Sequence, residues 1–252
     1  MENTFQTDQF LKLQPICLDK FHYFVELEST SDYARNLVEE GADSGTLVLA
    51  EHQTLGRGRG GNSWLSTAGK GLLFTLVIDP DVEQIIWNRF SLIAGVAVVR
   101  AITGLCGEAP DLKLKWPNDV YLNGKKCAGI LAEIVGDKLL IGIGLNVSVT
   151  DFASEISSKA TSLLREGIEM KREPLLAAII AEIYKVGSMA GNAFPRVISH
   201  YRQHCLLTGE HIAFTAAGQQ REGVVTRIDN DGALVVVDQN GKETAYMEAR
   251  DI

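Results

Sequence analysis

The chain has 252 residues, 46% of them apolar, and a formal net charge of −8. That length fits one large domain, or a large domain with a small one, with ample material for a core. The acidic balance speaks against a protein whose main work is to coat nucleic acid, and no unbroken apolar stretch reaches the roughly 18 residues of a membrane span.

The opening Met1-Glu2-Asn3-Thr4-Phe5-Gln6 lacks the basic start and apolar run of a secretory signal, so the cytoplasm is the expected compartment. Cys17, Cys106, Cys127 and Cys205 are scattered without a Cys-x-x-Cys pair, which suggests neither a disulfide framework nor a zinc site. Asn146-Val147-Ser148 fits a glycosylation sequon but carries no meaning in a chain that is not secreted. Thr30-Ser31-Asp32 is a helix start, and Gly41 supplies the stop. Leu47-Val48-Leu49-Ala50 and residues 72–78 read as buried strands on either side of a loop.

That loop is Gly56-Arg57-Gly58-Arg59-Gly60-Gly61-Asn62-Ser63-Trp64, with four glycines and two arginines in its first six residues. Glycine removes the steric bar to unusual backbone angles and lets amides approach a ligand. Guanidinium groups supply forked donors that suit phosphate oxygens. The segment reads as a mobile lid over a nucleotide or another anion. Gly56, Gly58 and Gly61 match G-x-G-x-x-G in letters only, because that fingerprint must follow a strand and open a helix. Gly69-Lys70 is no P-loop either, since Trp64 stands where its first glycine belongs.

From residue 84 to about 106 the apolar positions recur at helical spacing. Leu112-Lys113-Leu114-Lys115-Trp116 alternates, and Pro117 sets an extended approach to a turn. Asn123-Gly124 and Gly136-Asp137 then separate apolar runs, which predicts an antiparallel meander with helical cover on at least one face. Helices are expected at residues 160–164, from 174 to about 189, and near 196–205. On the last of these, His200, His204 and Cys205 share a face without further clear ligands, so a partly solvated surface explains them better than a metal. From Gly209 onward four or five short strands with turn punctuation fit a small appended β-barrel.

Three segments join the glycine loop as chemistry: Lys115-Trp116-Pro117-Asn118-Asp119, the strand start Lys126-Cys127-Ala128-Gly129-Ile130-Leu131-Ala132-Glu133, and Gly142-Ile143-Gly144-Leu145-Asn146-Val147. Each alone has a structural explanation in turn chemistry, a solvated hairpin lysine or a close strand crossing. Together, in this order, they resemble the biotin protein ligases from about Ser29 to the C-terminus. The resemblance implies an α+β fold with a mixed, largely antiparallel sheet and packed helices over residues 1–207, and an SH3-like barrel over 208–252. It implies activation of biotin by ATP, with Mg²⁺, to biotinyl-5′-AMP. Biotin then passes to a lysine of a biotin carboxyl carrier domain of a carboxylase.

By the same resemblance Ser29, Thr30 and Gln53 would hold the ureido end of biotin, although N-capping also accounts for one of the hydroxyls. Gly129 and Leu131 would form a floor for its rings. Lys126 would stabilise the transition state at the α-phosphorus. Arg57 and Arg59, with Gly56 and Gly58, would close over the phosphates, Trp64 would pack near the adenine, and Asn118 and Asn146 would read its edge. Asp119 would orient the acceptor lysine or take its proton, with a turn-stabilising role open beside it. The metal ligands are not assigned.

Many members carry arginine where this chain has Gly60 and Asn62, and their Ser-Thr-Asn is Ser29-Thr30-Ser31 here. The 28 residues ahead of Ser29 are too few for a winged DNA-binding domain, so no DNA partner is expected, and neither is a membrane. A homodimer through the strand at 139–146 is compatible with the pattern. Two rival functions stand beside the ligase: a lipoate or octanoate ligase or transferase of the same catalytic fold, and a non-catalytic biotin or nucleotide sensor. The presence of Lys126, Arg57 and Arg59 favours transfer over sensing.

Overall fold

The computed structural model describes residues 4–13, 18–107 and 110–252. Cys17 and the first three residues lie outside them. A seven-stranded sheet forms from β1 (Phe21–Leu27), β2 (Leu47–Gln53), β3 (Gly71–Ile78), β4 (Leu112–Lys115), β5 (Asp119–Leu122), β6 (Lys125–Val135) and β7 (Lys138–Asn146), in the order β1-β2-β3-β7-β6-β5-β4. Only β1–β2 is parallel; every other pair is antiparallel.

Turn chemistry explains the meander. Asn123 (φ 48°) and Gly124 (φ 76°) both take the left-handed conformation that a two-residue hairpin requires. Gly136 (φ 58°) opens the next hairpin. All eight residues of β3 are buried, which is why the strand is almost unbroken in its apolar character. On one face lie α3 (Phe90–Leu105) and α4 (Arg172–Gly187), packed together over Phe74, Leu76, Ile141, Ile143 and Leu145. On the other face lies α2 (Thr30–Glu39), whose Ala34 packs with Val48, Val77 and Leu140. The span Gln84–Leu105 is long and apolar enough to cross a membrane by composition, yet here it is largely a buried core helix.

Several expectations are corrected. The single helix expected from 84 to 106 is a 3₁₀ segment, Gln84–Arg89, followed by α3. Residues 160–164 are not an α-helix. The chain here serves the start of β6 instead: Thr161 N–H donates to Lys126 O, and Lys126 N–H donates to the carbonyl of Lys159 just ahead of the span. The short helix α1 (Thr7–Leu13) and strand β1 were not expected at all, and both depend on distant partners, with the tilted rings of Phe10 and Phe21 5.2 Å apart between centres.

After α5 (Phe194–His204) come β8 (His211–Ala216), β9 (Gln219–Ile228), β10 (Leu234–Val237) and β11 (Glu243–Tyr246). They form an antiparallel sheet in the order β11-β10-β9-β8, consistent with an SH3-like unit. A Thr215–Arg250 bridge brings the last residues back onto β8. Phe214, Val225, Ile228 and Leu234 join the same apolar cluster as α3. Trp116 Nε1 donates to Gly232 O at 2.9 Å, tying this unit to the turn after β4.

Candidate active site

A cleft of about 290 Å³ opens between the glycine loop, the β4–β5 turn, the middle of β6 and β7, and the last four residues. Its walls are set by local irregularities in regular elements. In β6 the pairing with β5 slips by one residue, so that Val120 faces Ala128 while Tyr121 faces Lys126. The bulge buries Cys127 completely, and its thiol is pushed up to about 12 by burial. It also brings Lys126 onto the face that carries Gly129 and Leu131, the re-aiming that bulges commonly perform beside functional sites.

One end of the cleft is neutral and hydrogen-bonding. Ser29 caps α2 by accepting from Asp32 N–H. Thr30 N–H and Oγ1 both donate to Gln53 Oε1, at 2.7 and 2.9 Å. Thr75 Oγ1 donates to Thr30 Oγ1 at 3.0 Å and meets Ser31 Oγ at 3.2 Å. The result is a buried chain, Ser31–Thr75–Thr30–Gln53, with Thr30, Ser31 and Gln53 lining the cleft. Ser29, spent on the cap, is not among the lining residues.

The other end is cationic. Arg59 Nη1 donates to Ala249 O at 2.7 Å, and Lys115 Nζ donates to the main-chain oxygen of Ile252 at 2.6 Å. Arg250 lines the same wall. Burial lowers both Lys115 and Arg59 from their ordinary values, and the neighbouring Arg250 charge lowers Arg59 further although Glu248 partly offsets it. Cations gathered at such a cost in a cleft fit an anionic ligand.

On the floor, Lys126 Nζ lies 2.8 Å from Asp119 Oδ1 and 5.7 Å from the Trp64 ring centre. Gly129 and Gly144 are paired across β6 and β7, and the Trp64 indole lies against both. A Cβ on Gly144 would sit 2.4 Å from the indole, and one on Gly129 would sit 3.0 Å from it. The surface expected to receive the biotin rings is thus covered by Trp64 itself. The loop that carries this tryptophan is folded as a short tongue. Trp64 N–H donates to Gly56 O, and Gly58 N–H donates to Asn62 O. A Cβ on Gly56 would lie 2.5 Å from Trp64 O, so glycine is required there for the close crossing.

Two expected ligand residues bond within the protein, Asn146 outside the cleft lining and Arg57 on its wall. Asn146 is buried and donates to Thr161 O, outside the cleft lining. Arg57 is engaged by Asp32 and Glu133, which outweigh the effect of burial and hold its guanidinium above its ordinary value. Asn118 lines the cleft while its amide donates to Ile130 O.

The family model for the biotin/lipoate A/B protein ligase family matches residues 23–149. The chain belongs to this family. It is 36% identical to a biotin–[acetyl-CoA-carboxylase] ligase of Mycobacterium tuberculosis, over 84% of this chain and 80% of that one. It is 32% identical to the bifunctional ligase/repressor BirA of Bacillus spizizenii, over 87% of this chain and 70% of that one. The biotin protein ligase of Aquifex aeolicus, solved with biotin and ATP, superposes with a TM-score of 0.81 at 28% identity, covering 92% of this chain and 98% of that one.

Ser31, Lys115 and residues 249–252 line the cleft without having been given a ligand role from sequence, and Thr75 bonds to Thr30 and Ser31 from behind them, outside the lining. Thr75 carried a signal: it is the one polar residue in Leu72-Leu73-Phe74-Thr75-Leu76-Val77-Ile78. The tail carried none, because only the β8 bridge brings it to the cleft.

Proposed function

We propose that this ligase activates biotin with ATP to biotinyl-5′-AMP and then transfers biotin to a lysine of a biotin carboxyl carrier domain. The observation that carries the reading is a single cleft with a neutral hydrogen-bonding end and a cationic end, with Lys126 on its floor. Thr30, Ser31 and Gln53 suit a ureido group, which both donates and accepts. Arg59, Lys115 and Arg250 suit a triphosphate. The relatives named above, one of them solved with biotin and ATP, support the choice of substrates.

In the first half-reaction the biotin carboxylate attacks the α-phosphorus and pyrophosphate departs. Lys126 stabilises the negative charge that develops between the two anions, and Asp119 holds that ammonium in place. In the second, the amine of the carrier lysine attacks the acyl carbon and AMP leaves, with Asp119 placed to take the proton. An acyl-adenylate is open to hydrolysis, and the tongue shields it from water. Among the described residues no three His, Cys, Asp or Glu side chains cluster to hold a metal. Mg²⁺ would enter with ATP and neutralise phosphate charge there, beside the cationic wall of Arg59, Lys115 and Arg250.

The test is pyrophosphate release with Mg·ATP and either biotin or octanoate. Release with biotin alone supports the reading. Release with octanoate alone moves the enzyme to the lipoate branch, and no release in either case returns the sensor.

A further inference from the structure

Arg57 stands at the root of the tongue, yet its guanidinium is directed at carboxylates from two other elements. Nη1 donates to Asp32 Oδ1 at 2.5 Å, and Nη2 donates to Glu133 Oε1 at 2.7 Å with a longer contact from Nη1 to Oε2. Arg35 of α2 donates to the same Glu133 Oε1 at 3.1 Å. A solvated ion pair does little for a fold. Glu133 differs: its side chain is only 18% exposed, it meets Arg57 through both oxygens, and a second arginine fixes it. A planar fork against a carboxylate is the strong and directional form of such a contact.

The elements that meet here are informative. Asp32 follows Thr30 and Ser31 in the first turn of α2, and those two residues line the neutral end of the cleft. Glu133 lies two residues beyond Leu131, which lines the cleft from β6. The opposite strand of the tongue carries Trp64 onto Gly129 and Gly144. Arg57 pairs with Ser63 across the tongue, so fixing Arg57 also fixes Trp64 and the Arg59 tip.

We infer that Asp32 and Glu133 are positioning residues: they form a latch on Arg57 that keeps the tongue closed over the cleft and retains the acyl-adenylate until a carrier arrives. The inference rests on the ligase reading above. On this view Arg57 is a fastening and leaves the phosphates to Arg59, Lys115 and Arg250. Closure is built into the protein fold, and the turn that receives biotin also holds the latch.

The test uses the full chain with Glu133→Gln, Asp32→Asn and the double variant. Two readouts are taken. The first is pyrophosphate release with biotin and Mg·ATP in the absence of a carrier, where a retained adenylate gives a burst followed by a slow phase. The variants should keep the burst rate. Their slow phase should quicken about tenfold, the loss of one charge-assisted contact expressed as a rate ratio. The second is trypsin cleavage after Arg57 and Arg59 without any ligand, which should quicken in the same variants while thermal midpoints stay close to the native value. In an Arg57→Ala background Glu133→Gln should add nothing to either readout.

An unchanged slow phase and unchanged cleavage would overturn the latch. So would an equal effect of Glu133→Gln with and without Arg57. A native protein that gives no burst with biotin, while its cleavage responds as expected, would instead strike at the ligase reading.

Discussion

Thr75→Val removes one hydroxyl and keeps the shape of the side chain. Thr75 is fully buried, and its Oγ1 is the middle of the Ser31–Thr75–Thr30–Gln53 chain. Valine takes away the donor to Thr30 Oγ1 and the polar contact of Ser31 Oγ in a place water does not reach. Leaving a buried polar group unsatisfied costs about 1–3 kcal/mol. Part of that cost appears as stability, measured by denaturant midpoint. The rest appears as ligand affinity, because Thr30 and Ser31 line the neutral end of the cleft. A share of about 1.4 kcal/mol carried into binding raises the KM for biotin about tenfold. The KM for ATP and the limiting rate of pyrophosphate release should stay near the native values. A loss of stability with an unchanged biotin KM would refute the reasoning and make the chain a packing feature. A shift in the ATP KM alone would place the two ends of the cleft the wrong way round.

Lys126→Ala should lower the adenylation rate by about 10²–10³, the range for removing one preorganised electrostatic donor, with the circular dichroism spectrum unchanged; a rate within a few-fold of native would remove Lys126 from the chemistry. Glu51→Gln addresses stability and pH. Burial raises the Glu51 carboxyl, but Arg172, the Phe5 N–H and the Tyr23 hydroxyl outweigh it and hold it below its ordinary value. A lowered carboxyl contributes stability that is present above its unfolded value and lost as pH falls through the folded one. Glu51→Gln should therefore destabilise the protein at neutral pH by roughly 3–5 kcal/mol, the cost of breaking a buried ion pair, and flatten the acid limb of its stability profile. A stability profile parallel to the native one would contradict this.

Much of the fold could be read in the residues because the signals are local. Asn123-Gly124 and Gly136-Asp137 turn their hairpins through positive φ at Asn123, Gly124 and Gly136, and Thr30-Ser31-Asp32 announces the start of α2, which Ser29 caps. The apolar runs of β3 and β7 announce cover on at least one face, and the structure covers both. Local pattern fails where distant chain supplies the partners. Residues 160–164 look helical in composition, but the Thr161 amide, with the carbonyl of the preceding Lys159, completes the start of β6. Phe21–Leu27 becomes a strand by pairing in parallel with β2, and no turn in the sequence marks such a pairing.

The same division runs through the site. The resemblance carried by the four motifs singled out the tongue, Lys126, Asp119, Gly129, Thr30 and Gln53, all of which line one cleft. Which way each side chain turns was decided only in three dimensions. A one-residue slip in β6 faces Lys126 into the cleft and Cys127 into the core. Ser29 is spent on a helix cap, Asn146 on Thr161, and Arg57 on two carboxylates. The Thr215 bridge delivers Arg250 to a wall that lies 190 residues along the chain from the tongue, Arg59 Nη1 bonding to Ala249 O beside it. Sequence determined which chemistry is available to this protein, because composition at short range sets turns, caps and charge. Tertiary structure decided which groups face the ligand, because register, bulges and long-range bridges depend on partners that no local pattern contains.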